Sequence, residues 1–128
     1  DFKKKQENLL LETLKKIDII ICTALIPGRE APKIINENMF KNLQKGSVIY
    51  DLAAVQGGNT VFTEVNKIVE KDGIKILGEA NILNKLPLSA SNLYARNAFN
   101  FISNLYDKED KKLNINLEDE IIEKTLIK

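Results

Sequence analysis

Two short apolar runs constrain this chain more than anything else in it. Asp18-Ile-Ile-Ile-Cys-Thr23 and Ser47-Val-Ile-Tyr-Asp51 are nearly unbroken and rich in β-branched residues. A strand with water on one side alternates apolar and polar residues, whereas an unbroken run suits a strand covered on both faces, as in parallel sheets. Each run leads into a loop of Gly, Pro or small residues. Residues 24–33 hold Pro27, Gly28 and Pro32, and residues 52–60 hold Gly57-Gly58.

Helical patterns separate these strands. Residues 2–16 read as an amphipathic helix with Phe2, Leu9, Leu10, Leu11 and Leu14 apolar. Asn36 is an N-cap for a short helix to Leu43, stopped by Lys45-Gly46. Residues 65–71 are expected as a helical turn, and Gly73 introduces a third strand over 74–77. Residues 78–88 form a loop with Glu79, Asn81 and Asn84, closed by Pro87. Residues 89–105 give the strongest helix, with a Ser cap and Leu93, Tyr94, Ala98, Phe101, Ile102 and Leu105 at helical spacing. Leu113-Asn-Ile-Asn-Leu117 alternates, and an acidic start with a basic end suits a terminal helix over 118–124. Right-handed crossovers turn this order into a parallel sheet with helices on both faces. Ligands of such sheets bind at the carboxyl ends of the strands, where loops 24–33, 52–60 and 78–88 all lie.

The composition narrows the chemistry. With 128 residues and 44% of them hydrophobic, the chain can build the core of one domain. It has no histidine and a single cysteine, Cys22, which excludes an internal disulfide, a zinc site and histidine acid–base catalysis. A net charge of +1 leaves no electrostatic footprint for nucleic acid or an anionic membrane surface. Residues 19–26 are the longest uncharged apolar run, far short of the roughly 20 that a membrane-spanning helix needs. The opening DFKKKQENLL is a charged helical pattern, not a secretory signal, and the absence of an initiator Met makes the chain read as a piece of a longer protein.

No arrangement for nucleophilic or paired-carboxylate catalysis stands out, so no catalytic residue and no metal ligand is expected. The candidate ligand contacts are in the loops. Pro27 pre-sets the backbone and Gly28 permits positive φ, which suits a flat turn under a planar ligand as well as an ordinary strand-to-helix connection. In Asp51-Leu-Ala-Ala-Val-Gln-Gly-Gly-Asn59, small Ala53 and Ala54 and then Gly57 and Gly58 remove side chains from a strand's end. Close approach of a ligand requires that, and so does a tight turn on a packed helix. Asn81 can hydrogen-bond a carboxamide or close an Asx turn. Cys22 reads as inert core, and the lysines at 3–5 and 108–112 as solvated faces. The six glycines form no Gly-x-Gly, so the phosphate-cradling turn of a dinucleotide site is absent.

Thr23-Ala-Leu-Ile-Pro-Gly-Arg-Glu-Ala-Pro-Lys33, followed by Gly46-Ser-Val-Ile-Tyr-Asp-Leu-Ala-Ala-Val-Gln-Gly-Gly-Asn59, resembles the alanine dehydrogenase/pyridine nucleotide transhydrogenase family. The likeness continues through Leu86-Pro87 to Leu117-Glu-Asp-Glu120 and is strongest to the NAD(H)-binding domain of proton-translocating transhydrogenases. It implies a Rossmann-like parallel sheet with flanking helices, the second half of a dinucleotide-binding lobe. Residues 1–88 would complete that lobe, and 89–128 would be a long helix and tail returning toward the other lobe. The Gly-rich phosphate turn would lie upstream. Ala24 and Leu25 would line the adenosine side, and Pro27 and Gly28 are cofactor-binding candidates beside them. Leu52, Ala53, Ala54 and Val55 would meet the ribose and nicotinamide, with Gly57-Gly58 as bare backbone beside the nucleotide. Residues 79–82, including Asn81, would lie near the nicotinamide.

The function implied is hydride transfer between NADH and NADP⁺ coupled to proton movement, at the cytoplasmic face of a bacterial inner membrane or the mitochondrial matrix side. NADP(H) would sit on a partner domain, alongside a membrane-spanning subunit, in a homodimeric assembly. No nucleic acid and no membrane insertion by this segment are expected. Alanine dehydrogenases of the family carry a catalytic Asp where Val55 stands, which speaks against an alanine dehydrogenase-like soluble enzyme. A non-catalytic assembly module is the remaining alternative.

Overall fold

The structure, a computed structural model, describes residues 2–127. They form two compact units, one up to Ile82 and one from Leu83. The first begins with α1 (Phe2–Leu14), β1 (Ile19–Cys22), α2 (Glu37–Phe40) and β2 (Val48–Asp51). β3 (Ile68–Lys71) and β4 (Ile74–Gly78) follow, and the four strands make one sheet in the order β1-β2-β4-β3. β1, β2 and β4 are parallel and β3 is antiparallel to β4, giving a mixed, mostly parallel Rossmann-like sheet with flanking helices.

The core lies on one face of that sheet. Leu14, Cys22, Ile35, Met39, Phe40, Leu43, Ile49, Ile74 and Ile76 form it, with Leu10, Leu11 and Phe62 packed against it. Phe40 and Phe62 meet edge to face with ring centroids 4.8 Å apart. Asn36 caps α2 as expected, its side-chain oxygen accepting from Met39 N–H at 2.9 Å. The other face of the sheet is less covered: Ile19 and Ile21 are 67% and 65% exposed. Cover on both faces is therefore a correction for β1 among the described residues, because α1, α2 and Phe62 all pack into the same core cluster.

The expected helical turn over 65–71 is also corrected, since residues 68–71 are β3. Asp72 and Gly73 both have positive φ (53° and 78°), the geometry of a two-residue hairpin turn, and they fold β3 back onto β4. The chain before β3 lies hard against the end of β4. Asn66 N–H donates to Gly78 O at 2.7 Å, and Gly78 N–H to Lys67 O at 3.0 Å.

Residues 78–88 are not wholly loop, since α3 (Ile82–Lys85) forms within them. The second unit contains α4 (Pro87–Asn104), β5 (Tyr106–Asp107), β6 (Lys112–Leu113) and α5 (Glu120–Thr125). Pro87 does not close a loop but opens α4 at a first-turn position, where its missing N–H costs nothing. The expected Ser cap is absent, because the N-cap is Leu86, without a side-chain bond. α4 buries none of its residues fully, and Leu93, Tyr94 and Ile102 of its apolar series are exposed. Asp119 caps α5 through Ile121 and Ile122 N–H. Among the described residues no helix is long and apolar enough to cross a membrane.

Candidate functional site

The register of the sheet sets the site. Cys22, Asp51 and Gly78 stand side by side as the last residues of the three parallel strands. The ladder continues one step beyond them, with Leu52 N–H donating to Cys22 O (2.9 Å) and Glu79 N–H to Asp51 O (3.1 Å). The three loops therefore leave the sheet together at its carboxyl edge, the position at which open α/β sheets take ligands.

Asp51 organises the loop that follows it. The residue is fully buried, and its carboxylate collects donors from the chain ahead of it. Oδ1 accepts from Ala53 N–H at 2.9 Å. Oδ2 accepts from Asn59 N–H at 2.7 Å, from Thr60 N–H at 3.4 Å and from the Thr63 hydroxyl at 2.6 Å. These charge-assisted bonds bend residues 52–60 into a closed loop, with a 3₁₀ turn over Ala54–Gln56.

Asn59, also fully buried, fastens that loop to the one after β1. Its Oδ1 accepts from Ala24 N–H (3.0 Å), and its Nδ2 donates to Ala24 O and Pro32 O, both at 2.9 Å. Asn59 O accepts from Ile34 and Ile35 N–H, and Ile35 bridges Thr60 in parallel register. The Lys33 ammonium donates to the carbonyls of Gly57 and Gly58. Turned so that its nitrogen faces them, the Gln56 amide donates to Ile26 O and Arg29 O. Loops 24–35 and 52–60 are thus one hydrogen-bonded body.

The expected contact residues divide by exposure. Pro27-Gly28 forms an exposed turn closed by Arg29 N–H to Ile26 O (3.1 Å), with Gly28 at φ +69°, as a type II turn requires. Leu25, Ile26 and Val55 present apolar surface to solvent, and Gly57 and Asn81 are exposed as well. Ala24 and Leu52 are half-buried. Ala53 and Ala54 are wholly enclosed by the chain's own atoms, and Gly58 is buried. A Cβ on Gly58 would sit 2.5 Å from Thr63 Cβ and 2.9 Å from Asp51 Oδ2, so internal packing alone demands a glycine there. At Gly57 the atoms nearest an added Cβ would be those of the Glu30 side chain, with Oε1 3.0 Å and Cγ 3.1 Å away.

Sequence reasoning passed over Asp51, Asn59, Lys33 and Tyr50 as site residues. Asp51 left a local signal, an acceptor side chain two residues before a loop N–H. Asn59 and Ala24 are 35 residues apart, beyond the reach of any local pattern. Burial, reinforced by the charge of Asp51, pushes the Cys22 thiol up to about 11, which keeps it protonated and unreactive at neutral pH.

Comparison with known proteins bears on this site. The family profile described as alanine dehydrogenase/PNT, C-terminal domain, matches residues 1–128. An NAD(P) transhydrogenase subunit alpha protein of Rhodospirillum rubrum is 45% identical over 127 residues, covering 99% of this chain and 33% of that protein. Alanine dehydrogenase 1 of Staphylococcus aureus is 34% identical over 110 residues, covering 83% of this chain and 29% of that protein. The crystal structure of a transhydrogenase from Sinorhizobium meliloti superimposes with a TM-score of 0.65 at 42% identity, over 74% of this chain and 29% of that one. The chain spans about a third of the length of the curated relatives it matches.

Proposed function

The chain belongs to the alanine dehydrogenase/PNT family through that family's C-terminal domain, and on that premise we propose that it is a segment of the NAD(H)-binding domain of a transhydrogenase alpha subunit. In the complete assembly this domain passes hydride between NADH and NADP⁺, coupled to proton movement. NADP(H) is held by a partner domain and protons cross through a membrane-spanning one, with this domain on the cytoplasmic face. The observation that carries the reading is identity along the chain: 45% over 127 residues with a transhydrogenase alpha subunit, against 34% over 110 with an alanine dehydrogenase.

The residues present fit a portion of the nucleotide. Exposed Leu25, Ile26 and Val55 offer apolar surface to planar rings, and Asn81 offers an amide to a carboxamide or hydroxyl. The pyrophosphate finds no seat among the described residues, because no glycine pair forms Gly-x-Gly and α2 opens with Glu37.

Bound NAD(H) supplies the hydride, and the protein's task is to orient it and keep water out. Asp51 and Asn59 lock the two loops before any ligand arrives, which lowers the entropy lost on binding. The apolar side chains of Leu25, Ile26 and Val55 exclude water from the rings they cover. Val55, at the exposed tip of the loop, holds no proton, in keeping with a transfer that exchanges none with a substrate amine.

The complete assembly in membrane vesicles decides among the readings. NADPH should form from NADH and NADP⁺, with no alanine-dependent reduction of NAD⁺. Alanine-dependent reduction would make the protein a dehydrogenase, and neither activity would leave an assembly module.

A further inference from the structure

The residues that first follow the three parallel strands are Thr23, Leu52 and Glu79, and only Glu79 among them is ionisable. Its main chain stays in the sheet ladder through Asp51 O, and its side chain is half-buried. Both carboxylate oxygens are held: the Tyr50 hydroxyl donates to Oε2 and Asn81 N–H donates to Oε1, each at 3.1 Å. Bonds at both oxygens fix the direction of the group, and Tyr50 comes from the neighbouring strand β2, so the sheet itself sets the carboxylate's place. A fixed carboxylate at the ligand edge of the sheet favours a cation over its neutral counterpart.

Resting on the NAD(H) reading above, we infer that Glu79 sets the preference between the two redox forms of the nucleotide, raising affinity for cationic NAD⁺ relative to neutral NADH. Tyr50 is its positioning residue. A tighter hold on the oxidised form pulls hydride transfer toward NADH oxidation.

The test is calorimetric titration of NAD⁺ and NADH into the complete subunit and its Glu79→Gln and Tyr50→Phe variants, with thermal unfolding of each. Glu79→Gln should weaken NAD⁺ relative to NADH by about three- to tenfold, the scale of a partly solvated charge interaction. Tyr50→Phe should move the ratio the same way by less, and both should unfold near the parent temperature. A folded Glu79→Gln variant that binds both nucleotides in the parent ratio would overturn the inference and leave the family reading intact. A parent subunit that binds neither nucleotide would overturn the reading on which it rests, and the inference with it. Should Glu79→Gln fail to fold, Tyr50→Phe decides alone, and an unchanged ratio there counts against the inference.

Discussion

Asp51→Ala should destabilise the first unit by about 4 kcal/mol or more. The substitution removes the common acceptor of Ala53, Asn59 and Thr60 N–H and the Thr63 hydroxyl, in a place with no exposed surface. Each buried donor left without a partner costs about 1–3 kcal/mol, and water entering the cavity recovers some of that. Against the roughly 5–15 kcal/mol that holds a domain together, such a loss leaves the loop open and the fold marginal. Asp51→Asn should cost less but remain harmful, because its amide keeps one acceptor and turns a donor toward other donors. Denaturant unfolding of the parent and both variants measures the order. A loss below about 1 kcal/mol for Asp51→Ala would mean that water replaces the carboxylate freely and that residues 52–60 have no rigid centre.

Gly78→Ala should be comparably severe for a different reason. A Cβ at this position would lie 2.1 Å from the carbonyl oxygen of Glu64 and 2.9 Å from its carbon, both backbone atoms. Relief requires the turn before β3 to move off β4, breaking the bonds of Gly78 with Asn66 and Lys67. Overpacking of this kind costs about 3 kcal/mol, at the upper end of its usual range. Gly46→Ala is the control. Nothing lies within 4 Å of its added Cβ, so only the strain of the positive φ of 93° remains, about 1 kcal/mol. Equal losses at the two positions, read in the same unfolding experiment, would show that contact with Glu64 does not set the requirement at Gly78.

The same residues explain what could be read from the chain without its structure. The runs at 19–22 and 48–51, the Asn36 cap and the Pro27-Gly28 turn are signals written within a few residues, and each appears where expected. β3 was missed because Ile68-Val-Glu-Lys71 is too short to show a period, although Asp72-Gly73 ahead of the expected strand over 74–77 is a local hairpin signal. The unbroken apolar run of β1 promised two covered faces, yet Ile19 and Ile21 stay exposed, since periodicity records how apolar a strand is and not what packs on it. In the site, the loops were legible as loops. The carboxylate and amide that tie them together were not, because Asn59 acts on Ala24 and Pro32 across a fold that the intervening strands must first make.

Hydrogen exchange of the complete subunit, with and without saturating NADH, tests most directly whether these loops hold the nucleotide. Amides in residues 23–33, 52–60 and 78–82 should slow together when NADH binds, because one ligand would lie across all three loops, two of which already form one hydrogen-bonded body. NADH that binds, slows amides elsewhere and leaves those three segments unchanged would contradict a nucleotide site at this edge of the sheet.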